Sequence, residues 1–473
     1  MARRLFLTFV VILLVSVAFL PVLSMFAKSL MVDGRFSLVS YGDVLRSTHQ
    51  WVLMRNSMVL SSLVMIFSVV VGLPLGILFG KTDLPFRQFF IGVFVVPLLI
   101  PPYILAVSWS DLLGSGGLAA DLFGLSATHE AAQLLFGLPG TAFILFSIFL
   151  PIPMLMTMIL LRTINPRLEE AARLVSGWKG VLRGVTIPLI LPGVLLSAVL
   201  VFLLTYGEFS VPNFLRFAVF PVESFTQFSA FYDFKAATAA ASPLVAVTLV
   251  LLFAEAVFLR EKTYQLRPSP DVSSLPPIGL GIYRWLLFVI VSVLGLVLVI
   301  VPIVVLLIQA GGSGIYLEAL GNSGGSLLRS IGYAVAGATL LALTGFITGF
   351  LIQRKALWCW RAVDSMTLFI FALPSTVVGI GLISLWNTPE TTFIYGTPLI
   401  IILGYVAKYT ALTSRISVAQ LGQIPVSMEE AAQVAGGGWF RTMALIVAPL
   451  AWRGLAVSWL VGYIFCLRDM GIT

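Results

Sequence analysis

The chain has 473 residues, of which 59% are hydrophobic and only 10% charged. Soluble domains carry about 25% charged residues, so this composition excludes a soluble globular protein and points to one embedded in a bilayer. The net charge of +8 does not call for nucleic acid, because the Lys and Arg residues sit in short loops between apolar runs, where they orient membrane proteins.

The first apolar run, 5–27, follows Met1-Ala2-Arg3-Arg4. It is longer than the apolar core of a signal peptide and no A-x-A site follows, so it reads as a first membrane span. Further spans are predicted at 56–80, 89–110, 138–161, 184–206 and 242–259. A polar, Pro-rich linker comes next, and five more spans follow at 285–308, 327–352, 362–386, 397–417 and 446–466. Each run is close to the ~20 residues that cross the hydrocarbon, and none alternates as a barrel strand does. The predicted fold class is an all-α polytopic membrane protein with eleven spans in this chain. Its predicted domains are a first half, 1–260, a cytoplasmic linker, 261–284, and a second half, 285–473.

The halves read as repeats. Gly72 to Lys81 aligns with Gly345 to Arg354, and Pro101 with Pro374, an offset of 374 − 101 = 273. Glu170 aligns with Glu430, an offset of 430 − 170 = 260. Six spans per half is an even number, so the repeats are expected to run parallel about an axis along the membrane normal. With the N-terminus in the cytoplasm, the basic loops concentrate on that side, the first external loop excepted (Lys28, Arg35, Arg46, Arg55). The same register predicts a sixth span of the second half beyond Thr473 and a full length near ~520 residues. An eleven-span protein is the alternative.

One phrase occurs twice. Leu168-Glu169-Glu170-Ala171-Ala172-Arg173 is echoed by Met428-Glu429-Glu430-Ala431-Ala432-Gln433. Small residues follow, Ser176-Gly177 or Gly436-Gly437-Gly438, then a Trp, and ten residues later Pro188 or Pro449. Alanine-rich sequence led by Glu after Pro166 or Pro425 predicts a short helix, with the acids suited to its first turn. The glycines would end it. A helix lying on anionic headgroups would prefer Lys and Arg, so two double-Glu helices at equivalent cytoplasmic positions point to docking of a soluble partner.

These residues resemble the EAA loop in the membrane subunits of binding-protein-dependent ABC importers. The second copy fits that spacing. The first has Ser176 where Gly is usual and is one residue shorter before Trp178. Two permease halves in one chain resemble the ferric-iron and thiamine permeases, and the strings around Glu208 and Asp469 look most like the iron type. The resemblance implies an importer subunit of the bacterial inner membrane that docks two copies of an ATPase. It implies coupling through Glu169, Glu170, Ala171, Ala172, Ser176 and Gly177, and through Glu429, Glu430, Ala431, Ala432, Gly436 and Gly437. A periplasmic substrate-binding protein would deliver the solute, iron(III) first and thiamine or another small solute second. This chain is expected to bind no cofactor and to be no enzyme itself, with ATP and Mg held by the partner. A secondary transporter is the rival class.

Other features have plainer readings. Gly76-Ile-Leu-Phe-Gly80-Lys81-Thr82 is one residue short of a P-loop and follows no strand, so Gly72/Gly76 and Gly345/Gly349 read as helix-packing faces. Glu208 and Asp469 sit at equivalent span ends and are candidates to line a translocation path, against a capping role. Lys408 is expected to snorkel toward the inner surface. His49 and His129 have no ligand partner at a suitable spacing, so no metal site is predicted, and with Cys359 in a predicted cytoplasmic loop and Cys466 in a span no disulfide is predicted.

Overall fold

The computed structural model describes residues 2–32, 35–123, 125–258, 277–311 and 313–472. Most of the predicted linker, up to residue 276, and Thr473 lie outside the described residues. Among the described residues, eight helices are long and apolar enough to cross a membrane, and three bent helix pairs raise the total to eleven. All eleven coincide with the predicted spans, so the chain is a multi-pass helical membrane protein. Among the described residues, strand pairing is limited to Met31–Val32 with Arg35–Phe36 and an isolated bridge between Thr82 and Ile278.

Three spans that read as continuous in the sequence are broken. Arg87–Leu99 meets Pro102–Ala120 at 99°, and Trp360–Ala372 meets Ser375–Trp386 at 108°. The breaks fall at Pro101 (φ −54°, ψ 132°) and Pro374 (φ −55°, ψ 140°), the aligned pair. Proline has no N–H to give and crowds the preceding turn, so the helix restarts in a new direction. Trp439–Leu450 and Trp452–Arg468 meet at 77°, whereas the aligned Trp178–Tyr206 passes as one helix. Widened π turns also recur at aligned places, Leu182–Thr186 and Met443–Val447, each just before a proline. A proline cannot donate into the preceding turn, and the helix relaxes around the gap.

The chain forms two compact units whose limits cut across the sequence halves. One comprises Met1–Gln50, Phe220–Val245 and Tyr316–Thr473; the other comprises Trp51–Val219 and Ala246–Ile315. Each unit thus takes the first span of the opposite half. In the first unit, Val17 and Val22 pack on Ile370, Leu373, Val378 and Leu382. The carbonyl of Pro21 lies where a Cβ at Gly381 would come within 3.2 Å. In the second unit, Val291 and Leu298 join Leu75, Phe79, Phe90, Phe94 and Met154. Ser108 Oγ donates to the Pro302 carbonyl at 2.6 Å. Local sequence cannot specify this exchange, because the first spans are apolar enough to pack on either core.

The predicted glycine faces do pack closely. A Cβ at Gly72 would sit 2.8 Å from Pro153, and one at Gly76 2.6 Å from Thr157. At Gly345 it would sit 2.2 Å from Thr413, and at Gly349 2.6 Å from Ser417. Each partner pair keeps the 260 offset (413 − 153 and 417 − 157). With no hydrophobic drive between helices in lipid, such close backbone approach is what holds them together.

Candidate functional site

The two acidic phrases form short helices, Pro166–Val175 and Val426–Val434. The first starts on Asn165, whose side chain accepts from the Arg167 N–H at 3.0 Å, with Pro166 at the first helical position. The second starts on Pro425, which has no capping side chain.

Adjacent residues on a helix point about 100° apart, so the Glu doublet is divided between two faces. Glu169 is 1% exposed and Glu429 7%. Glu169 Oε2 accepts from Lys81 Nζ and its Oε1 from Thr186 Oγ1 at 2.8 Å. Glu429 Oε1 accepts from Arg354 Nε at 2.8 Å, while Arg354 Nη2 donates to the Ile424 carbonyl at 2.9 Å. These first carboxylates therefore bolt the acidic helices to the ends of the transmembrane helices Thr48–Lys81 and Ser313–Gln353. Lys81, the lysine of the P-loop look-alike, is committed to that bond.

Glu170 and Glu430 face solvent, as do Ala171 and Ala431, while Ala172 and Ala432 are half-buried. Beyond them Leu174 and Val175 are each 90% exposed, and so is Val434. A buried anchor on one side and bare aliphatic side chains beside a carboxylate on the other make a surface suited to a partner's apolar cleft with basic or polar walls.

The helix ends differ as the sequences do. In the second copy Gly436 takes φ +81°, its N–H donates to the Gln433 carbonyl, and the Gly437 N–H donates to the Ala432 carbonyl at 2.8 Å. That is a Schellman ending, which favours glycine at the left-handed position. The first copy is one residue shorter and has no left-handed residue: Ser176 is extended (φ −142°) and its N–H and Oγ both donate to the Ala172 carbonyl. Gly177 has φ −67° and starts the next helix. Trp178 lies under the Arg173 guanidinium at 4.8 Å. Trp439 packs on Phe350 and Phe6 instead.

Glu208 and Asp469 both follow the end of a span helix and both accept from backbone N–H groups just beyond it. Glu208 Oε1 accepts from Ser210 N at 3.0 Å; Asp469 Oδ1 accepts from Gly471 N at 2.8 Å and Ile472 N at 2.9 Å. Asp469 Oδ2 also takes bonds from Tyr409 and from Ser375 at 2.9 Å, beside the Pro374 break. Glu208 thus closes the turn before the short helix Ser210–Phe214, while Asp469 ties the end of its span to the helices of Tyr409 and Ser375. Lys408 does not snorkel: it is buried and its Nζ donates to the Leu373 carbonyl at the same break, where the first half of the broken helix ends. A cation there meets the negative end of a helix dipole. His49, with no partner apparent in the sequence, lies 3.5 Å from Glu223. Among the described residues no group of three or more His, Cys, Asp or Glu is arranged to hold a metal.

Sequence reasoning missed Lys81, Arg354 and Thr186 as anchors, and also Asp364, fully buried and 2.8 Å from Arg415. Lys81 and Arg354 carried a signal, since they coincide in the repeat register. Asp364 carried none, because its aligned position, 364 − 273 = 91, is an isoleucine.

No family model matches the chain. It is 24% identical over 463 residues to a putative ferric transport system permease protein FbpB 1 of Haemophilus influenzae, covering 91% of this chain and 71% of that protein. It is 26% identical over 422 residues to the ferric transport system permease protein FbpB of Actinobacillus pleuropneumoniae, covering 84% and 60%. Over most of its length the chain resembles ferric-type transport permeases. The molybdenum transport system permease protein ModB of Escherichia coli K12 is 28% identical over 168 residues, which is 34% of this chain and 69% of ModB. That match is confined to about a third of this chain, whereas the ferric-type matches run through both acidic phrases' halves.

Proposed function

We propose that this chain is the permease subunit of an ATP-driven ABC importer and that its cargo is iron(III). The observation that carries the reading is the pair of acidic helices, each bolted inward by its first Glu and presenting its second Glu with exposed aliphatic residues outward. Two copies of a separate ATPase dock on them, hold the ATP and Mg, and on closing pull each helix. The pull passes through the buried ion pairs Glu169–Lys81 and Glu429–Arg354 into the membrane helices. A periplasmic binding protein delivers the solute to the opposite face. The protein lies in the bacterial inner membrane with its N-terminus in the cytoplasm, as the loop charges favour. The names of the relatives support iron over other solutes.

Co-expression of the permease with its ATPase tests the docking. Charge reversal at both outward acids, Glu170→Lys with Glu430→Lys, should abolish co-purification while the permease itself remains folded. Normal co-purification of that double variant would sink the docking reading. Uptake of ferric iron, molybdate and thiamine in cells expressing the whole system decides the cargo. Uptake that persists after ATP depletion with the ion gradient intact would favour a secondary transporter instead.

A further inference from the structure

In the unit that comprises Trp51–Val219 and Ala246–Ile315, the helix Arg87–Leu99 and the span Tyr283–Gln309 border an apolar groove. It has a volume of about 410 Å³ and is walled by Phe86, Phe89, Phe90, Phe288 and Leu296, with Gly295 in its floor. It reaches from Phe288 to Ile300, 12 residues, which is about 18 Å of helix. One leaflet of hydrocarbon is about 15 Å deep. Its depth is therefore that of a single acyl chain lying along the helix.

Positive charge stands just beyond one end of the groove, outside the residues that line it. The loop after Lys81 and the segment before Tyr283 are stitched together: Ile278 N donates to the Lys81 carbonyl at 2.7 Å, Asp83 N to the Ile278 carbonyl at 3.2 Å. This places the N-termini of both helices, and with them the exposed Arg87 and Arg284, at one membrane edge; Arg87 Nη1 donates to the Thr82 carbonyl at 3.1 Å, which leaves its other N–H groups for a further acceptor. The acid in that loop, Asp83, is taken up by the Leu280 N–H at 2.9 Å. Phe86, just before the helix, has φ 55°, an uncommon conformation for a bulky residue, and its ring is 72% exposed at the rim. Trp285, also exposed, stands at the same level, where aromatic residues meet headgroups.

We propose that this groove is a binding site for one anionic phospholipid, its acyl chain along the groove and its headgroup phosphate between Arg87 and Arg284. Charge and shape commit the site to this occupant. An apolar slot one leaflet deep with two arginines just beyond one end matches an anionic lipid, and an extended peptide would bring unpaired backbone into hydrocarbon. The site lies on the same face as the first acidic helix, because Lys81 closes the stitched loop and bonds Glu169. It does not depend on the identity of the cargo.

The test is native mass spectrometry of the full-length permease, delipidated and then titrated with phosphatidylglycerol or phosphatidylcholine of the same acyl chains. The expected result is one phosphatidylglycerol retained at collision energies that strip phosphatidylcholine. Arg87→Gln with Arg284→Gln should lower the preference for the anionic lipid about 30-fold, at the roughly fivefold gain each basic residue gives near a membrane surface. Ser292→Phe, which fills the groove, should remove retention of both lipids without touching the arginines. Competition by inorganic phosphate that displaces the lipid would show a headgroup site with no acyl component and overturn the proposal. So would equal retention of the two lipids by the native chain, or unchanged retention in both variants.

Discussion

The two acidic helices solve one mechanical problem with different side chains. In the first, Glu169 is held by Lys81 and Thr186; in the second, Glu429 is held by Arg354, and the position aligned with Thr186 is Val447. Lysine offers one cationic centre, so a hydroxyl supplies the second bond to the carboxylate. Arginine's fork reaches one Glu429 oxygen and the Ile424 carbonyl together, and a buried valine stands where the first copy has its hydroxyl. The anchor and its neighbour have changed as a set. The outer faces, by contrast, keep the same chemistry, a carboxylate beside bare aliphatic residues. The buried side has kept an ion pair through a change of partners, whereas the outer face has to fit a partner.

Four predictions bear on this comparison. Removing the anchor should cost most. Glu429→Ala strands Arg354, and Glu169→Ala strands Lys81, each by about 3 kcal/mol, with the Arg354 side the worse because an arginine cannot shed its charge. Chemical unfolding in detergent micelles would read this, and equal losses would remove the distinction between the two anchors. Thr186→Val should cost about 1–2 kcal/mol by leaving one Glu169 oxygen short of a partner. Adding Lys81→Arg to it recreates the second anchor and should recover at least half of that loss; no recovery would mean that the two solutions are not interchangeable. Gly436→Ala should cost about 1 kcal/mol, because its φ of +81° disfavours a Cβ even though the space around it is open. Ser176→Gly in the other copy should change stability by only a few tenths of that, and matched effects would contradict the two different helix endings. Smallest is Glu170→Gln or Glu430→Gln, expected within about 0.5 kcal/mol of the native stability, yet measurably weaker in ATPase binding by surface plasmon resonance. A stability loss as large as that at Glu169 would show that both acids of the doublet are anchors.

Much of the architecture is legible in the chain because a bilayer leaves few options. Runs of roughly 20 apolar residues must be helices, and all eleven coincide with helices or broken helices. Pro101 and Pro374 stand out in the sequence, yet a proline inside an apolar run is compatible with either a kink or a full break. Which one occurs depends on what receives the freed backbone groups, and Lys408 on the Leu373 carbonyl is such a receiver from another helix. The acidic phrases were visible as helices with an outward role. The division of the Glu doublet was not, because it depends on where Lys81 and Arg354 arrive, 88 and 75 residues away in the chain.

By itself the sequence determined that this is a helical membrane protein, that two acidic helices occupy aligned loops, and that glycine pairs mark close helix contacts. These follow from periodicity, composition and the absence of Cβ atoms, all of which act locally. Only the tertiary structure decided which Glu is buried, where the spans break, and that each compact unit borrows the first span of the opposite half. Those outcomes depend on which distant groups meet. Apolar helices pack on any apolar neighbour of suitable shape, and a carboxylate is an anchor or a docking group according to the cation that reaches it.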